Sequence, residues 1–262
     1  MIKLLKSELY RLFHIKSIYL IFIFSLILVG IITKLFSIKL FSGINYRTSK
    51  WSIMIFADRF NNPQGMICNR CIEIVFIIIP FITNTIIGEE RDLGSLRMIL
   101  LRPYKKGQII LSKLITLIII DFLYLSTIFI SSYIFSVFMM PTISYTKLLF
   151  NSSNISFWES FIFNIRVYLI YLVEIILISY IFSIVCTFIK NTVLAFIVQI
   201  AILVSTSYLV TSFRYYIISP LNYIYDILSK HKSPTIIIFE CLSIIIIGMF
   251  LKLIWNRFDY VD

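Results

Sequence analysis

The stretch GEERDLGSLRMILLRPYKKGQ, residues 88–108, lies between two long apolar runs, Cys68–Ile87 and Ile109–Phe138. It carries three acids and five bases in a chain that is otherwise mostly hydrocarbon. Two apolar runs of span length joined by a charged segment make two membrane helices, with the segment held on one side of the bilayer. Within it, Glu89, Glu90 and Asp92 lead, Leu93, Leu96, Ile99 and Leu100 recur at helical spacing, and Pro103 ends the pattern. Acids at the start and bases at the end suit the helix dipole. The stretch reads as a short helix lying on the membrane with one apolar edge offered to another protein.

The rest of the chain extends this reading. Its 262 residues are 60% hydrophobic with a mean hydropathy of +0.95, whereas soluble domains run nearer ~45–50% apolar. A soluble core this apolar would leave too little polar surface, so the class is integral membrane protein. A span needs about twenty apolar residues, and six runs qualify: 18–36, 68–87, 109–138, 161–188, 192–212 and 235–254. No Gly/Ser-rich or Pro-rich linker and no tandem repeat divides them. The expected fold is all-α: one membrane domain over residues 1–262 with six transmembrane helices. An N-terminal amphipathic interfacial helix over residues 1–17 puts Ile2, Leu5, Leu9, Leu12 and Phe13 on one face. The run from Ile18 is span-length and no cleavage-site pattern follows it, so it reads as the first span rather than a removable signal.

Orientation follows from the bases. With both termini inside, the inner segments hold twelve Lys and Arg in about 52 residues and the outer loops eight in about 74. The net charge of +11 is accounted for by bases beside anionic headgroups. No compact basic patch with interleaved aromatics stands in a polar segment, which excludes nucleic acid as a partner. Richness in Ile, Lys, Asn, Phe and Tyr points to a bacterial source. Residues 37–67 form the longest outer loop, within which 49–60 reads as a short interfacial helix. Ile189-Lys190-Asn191 is a tight inner turn, and the tyrosine-rich 213–234 segment reads as interfacial or re-entrant.

The quoted stretch resembles the coupling region of ABC transporter permeases of the type-two exporter family. In that pattern an acid precedes a Gly-Thr or Gly-Ser step, then leucines, a Pro, a base, and a Lys opening the next span. The matching residues are Glu89 or Glu90, Gly94, Ser95, Leu96, Leu100, Pro103, Lys106 and Lys113, with Arg91 beside the acids. Ser95 replaces the commoner Thr and Lys106 the commoner Arg. The resemblance implies a transmembrane subunit that pairs with a second permease, identical or not, and with cytosolic ABC ATPases. It binds no cofactor itself; ATP and Mg belong to the partner ATPase. It implies a multi-pass protein of the bacterial cell membrane, both termini cytoplasmic, surrounded by lipid. Small permeases of this size resemble those of lantibiotic immunity and antimicrobial peptide resistance. Export of lipid, drug or ions is an alternative, and a non-transporting scaffold or sensor subunit is another.

Four further patterns bear on the chemistry. The chain has no G-x-x-x-x-G-K-[ST], so the phosphate cradle of an ATPase must lie elsewhere. Glu89-Glu90 is similar to the paired glutamates of prenyl-protease-like membrane peptidases, but Gly94 stands where their Arg would, and the only histidines are His14 and His231. Cys68 and Cys71 form a CxxC without further ligands in reach of the sequence, and read as small fillers at a span edge. Asp121 and Glu174 fall deep within spans, each three residues from a tyrosine, Tyr124 and Tyr171. A charge at that depth costs at least about 2.5–3.5 kcal/mol, so these four residues are either a polar substrate path for a cationic cargo or hydrogen-bonded structure. Glu73 and Glu240 lie nearer the outer surface, where solvent is expected to reach them.

Overall fold

The computed structural model describes residues 2–38, 44–47, 52–55, 58–92, 94, 104–148, 151–209, 211–228 and 235–257. In chain order the helices are α1 (Ile2–Leu12), α2 (Lys16–Ser37), α3 (Asn62–Asp92), α4 (Lys106–Met139), α5 (Phe157–Phe188), α6 (Thr192–Leu209), α7 (Thr211–Ile218), α8 (Pro220–Leu228) and α9 (Thr235–Arg257). Among the described residues, six of these (α2 to α6, and α9) are long and apolar enough to cross a membrane. Six crossings return the chain to the side it started from. The backbone N–H of Gly107 donates to Asn256 Oδ1 at 3.0 Å, tying the start of α4 to the end of α9 on that side, here termed the terminal end.

Helix α3 is the centre of the bundle: 72% of its most apolar window is buried, against 22% for α2 and α6 and 17% for α9. It packs against α4 and α5, with α2 laid on α4 and α9 covering both α4 and α5. Helix α4 has 34 residues, about 51 Å at 1.5 Å per residue, and so outreaches a hydrocarbon layer of about 30 Å.

The spans match the apolar runs except at the start of α3, which begins at Asn62 with Pro63 in its first turn. The sequence assigns Asn62–Ile67 to an outer loop because its side chains are polar. They are buried instead, because each finds a partner. Asn62 Nδ2 donates to the Ser132 carbonyl at 3.0 Å and to Ser136 Oγ at 2.7 Å, and Gln64 Nε2 donates to Asn164 Oδ1 at 2.5 Å. Tyr225 of α8 donates its hydroxyl to Gln64 Oε1. This polar cap closes the opposite end of the bundle, the hairpin end, which is named for two antiparallel pairs: β1 (Ile44–Arg47) with β2 (Ser52–Ile55), and β3 (Thr146–Leu148) with β4 (Asn151–Ile155). The helix expected over 49–60 is thus a strand across Ser52–Ile55. A short apolar run satisfies period two as well as 3.6, and a paired neighbour meets its backbone groups. Ser156 and Glu159 form a capping box that starts α5.

Two π-helical turns, Ile74–Ile78 and Asn84–Gly88, interrupt α3 on either side of Pro80. Proline removes a ladder N–H and its ring crowds the preceding turn, and a wider turn relieves both.

A buried ionic junction at the terminal end

Helix α1 lies against α4. The face it buries is Leu4, Glu8 and Leu12, spaced i, i+4, i+8, with Leu5 and Leu9 half-buried. Ile2 and Phe13, expected on the buried face, are exposed. The apolar arc is therefore shared: one flank meets protein and the other is left for lipid. Glu8 sits in the middle of the protein-facing flank, only 6% exposed.

Three charged groups meet it. Lys113, near the start of α4 and fully buried, places Nζ 2.6 Å from Glu90 Oε2 and 3.4 Å from Glu8 Oε1. Arg11 of α1 places Nε 2.9 Å from Glu90 Oε1 and Nη2 3.2 Å from Glu8 Oε2. Two acids and two bases thus close a ring joining α1, the end of α3 and the start of α4. The Ile86 carbonyl, inside the second π-turn, accepts from Lys113 Nζ at 3.0 Å and from Arg11 Nη2 at 3.5 Å.

The other charged residues at this end of α3 tie it to the turn between α5 and α6. Arg91 donates to the Thr187 carbonyl. Asp92 Oδ2 accepts from Thr192 Oγ1 at 2.7 Å and from Thr192 N–H at 3.3 Å, capping α6. A Cβ on Gly88 would stand 3.2 Å from Thr192 Cγ2, so a small residue is needed for this approach. Glu89 points away from the junction into a cleft of about 350 Å³ that Asn84, Thr85, Thr192 and Phe196 also line. Gly94 has φ +70°, the left-handed turn that ends a helix. Of the coupling residues expected from sequence, Glu89, Glu90, Arg91 and Gly94 are placed in this way. Ser95, Leu96, Leu100 and Pro103 lie outside the described residues.

Sequence reading found Glu90 and Lys113 but gave Glu8 and Arg11 no part in a site. The available signal was an acid at i+4 between two leucines, the position a buried helix face would fill.

The four residues expected to line a path differ in their hydrogen-bond partners. Asp121 is 2% exposed and accepts from Ser179 Oγ at 2.8 Å. Tyr124 turns to Arg70 instead, whose Nη2 donates to its hydroxyl at 3.1 Å. Arg70 is itself fully buried and paired with Glu73 at 2.8 Å. Glu174 lies five residues before Ser179 on α5, about 7.5 Å along the axis, and neither its Oε1 nor the Tyr171 hydroxyl has a hydrogen-bond partner among the described residues. Glu240, expected to be solvated, is 8% exposed and accepts from the Tyr223 hydroxyl at 2.5 Å. Its depth was hidden because α8 covers the start of α9.

These contacts hold parts together, and among the described residues no nucleophile, base and electrophile converge on a common point. A search of curated proteins found no significant match. A family described as ABC-2 family transporter protein matches residues 4–251, nearly the whole chain, and with six helices able to cross a membrane the protein is a multi-pass transporter subunit of the ABC-2 family.

Proposed function

We propose that this subunit is the permease half of an ATP-driven bacterial exporter that clears antimicrobial peptides, with both termini and residues 88–108 on the cytosolic side. A second permease and cytosolic ATPases complete the assembly, and ATP and Mg stay with the ATPases. The observation that carries the driven-permease reading is the ring of Glu8, Arg11, Glu90 and Lys113. It lies where the segment resembling a coupling helix leaves α3. A pull on that segment moves Glu90, and with it both α1 and α4, while Arg91 and Asp92 carry the same pull to α5 and α6. The permease thus supplies a two-state mechanical element and no bond chemistry. Exposed aromatic side chains at the hairpin end, Tyr145 and Trp158, favour a cargo collected at headgroup depth.

The test is peptide susceptibility in cells producing the ATPase with permease variants. Wild type is expected to raise the tolerated concentration of a cationic amphipathic peptide. Leu96→Asp is expected to abolish protection while ATP hydrolysis continues, because a charged side chain cannot fill an apolar groove on the ATPase. Protection against no membrane-active peptide would remove the peptide cargo and leave lipid, drug or ion export. An ATPase that no cargo stimulates would leave the scaffold reading. Orientation is checked separately: a single cysteine at position 105 is expected to resist an impermeant thiol reagent added to intact cells.

A further inference from the structure

Glu174 lies on α5 and Glu240 on α9, two helices that pack against each other, and the two acids are near enough for their charges to interact. Tyr216 of α7 and Tyr223 of α8 close the space from the hairpin end, their rings edge to face at 5.1 Å between centroids. Tyr171, one turn before Glu174 on α5, completes the wall and is electrostatically coupled to it. Glu174 and Tyr171 are each 1% exposed.

The hydrogen bonds do not close. Glu240 Oε1 accepts from Tyr223, but Glu174 Oε1, Glu240 Oε2 and the enclosed hydroxyls of Tyr171 and Tyr216 have no partner among the described residues. Buried polar groups are nearly always hydrogen-bonded, so four such atoms in one place call for an occupant. No ion pair among the described residues reaches either acid, and the nearest buried base, Arg70, is already committed to Glu73, Ser25 and Tyr124. Carboxylates held in hydrocarbon without a counter-charge are unfavourable. Among the described residues nothing supplies the positive charge that these two acids need if both are ionised.

We propose that Glu174, Glu240, Tyr171 and Tyr216 form a binding site for a compact monovalent cation, either an ammonium group or an alkali-metal ion. The donors are all oxygen, which suits a hard cation. A calcium ion takes about six to eight oxygens, and among the described residues no group of three or more His, Cys, Asp or Glu could hold a metal. Tyr223 already occupies Glu240 Oε1, which leaves one oxygen of each acid, Glu240 Oε2 and Glu174 Oε1, to face a single compact cation. The tyrosine rings add aromatic faces of the kind that attract cations. Occupancy would pin α9 to α5 and to the α7–α8 pair. The site does not depend on the export reading and stands or falls by itself.

The test uses the purified full-length permease in detergent. Its unfolding temperature is followed against rising NaCl, KCl or methylammonium chloride, with tetraethylammonium chloride holding ionic strength constant. A ligand that binds only the folded state raises that temperature saturably. The expected result is a saturable rise with at least one compact cation, lost in Glu174→Gln and in Glu240→Gln. A response to sodium or potassium alone assigns an alkali ion, a response to methylammonium alone assigns an ammonium group, and competition between them assigns both. Identical unfolding temperatures in all salts would overturn the site, as would a rise that Glu174→Gln leaves intact. Should the glutamine variants fail to fold, Tyr171→Phe decides. It removes one hydroxyl and is expected to raise the half-saturating concentration several-fold; an unchanged value overturns the proposal.

Discussion

The two ends of this bundle bury carboxylates in opposite ways. At the terminal end, Glu8 and Glu90 meet Arg11 and Lys113, and the ring closes with every charge matched. Toward the hairpin end, Glu174 and Glu240 meet tyrosines and each other, and among the described residues no base reaches them. Equal burial therefore carries different meanings. A closed ring resists separation of its parts and serves to transmit force. An open cluster keeps unmet acceptors and serves to receive something.

Substitutions can break the contrast from either side. The largest effect is expected from Lys113→Met, which leaves two buried acids facing one partly exposed arginine. Removing one partner of a buried pair costs about 3–5 kcal/mol. The unfolding temperature should fall sharply, and a second change, Glu90→Gln, should restore part of the loss; no interaction between the two changes would mean that the ring is not a unit. Next is Tyr216→Lys, which would make the hairpin-end cluster resemble the terminal-end ring by tethering an ammonium beside Glu174 and Glu240. Its unfolding temperature should become independent of added cation, and persistence of the wild-type salt response would show that the lysine does not reach the acids. The smallest effect is expected from Asp121→Asn. The amide oxygen can still accept from Ser179, so stability should change by less than about 1 kcal/mol; a large loss would mean that Asp121 carries a charge that some other group needs.

The spans were legible in the sequence because length and apolarity are enough to specify a crossing. What escaped were decisions made by partners. Asn62 and Gln64 look like loop residues until Ser132, Ser136 and Asn164 are placed against them. Tyr124 shares a helical face with Asp121, yet its hydroxyl accepts from Arg70, a guanidinium also held by Glu73 and Ser25, while Asp121 is served by Ser179. Glu8 was overlooked because amphipathic periodicity ranks residues by hydrophobicity and cannot foresee an acid drawn inward by a buried lysine. Within the candidate coupling segment, the acids and the terminating glycine could be read from their pattern. Which acid faces the protein could not: Glu90 does, and its neighbour Glu89 opens onto a cleft.

The π-turns of α3 bear on how this helix can vary. Each holds one residue beyond what a regular turn needs, so α3 carries two surplus positions, one on each side of Pro80. A surplus residue rotates everything beyond it by about 100° relative to an uninterrupted helix. The segment bearing Asn62 and Arg70, the middle around Pro80, and the segment bearing Glu90 are therefore three rotational phases in series. Deleting a lipid-facing residue such as Ile77, which is exposed, would restore a regular ladder locally. It would also turn the outer third of the helix against the inner, separating Asn62 from Ser136 or Glu90 from Lys113. Single-residue deletions in this span therefore act as changes of gear rather than of length.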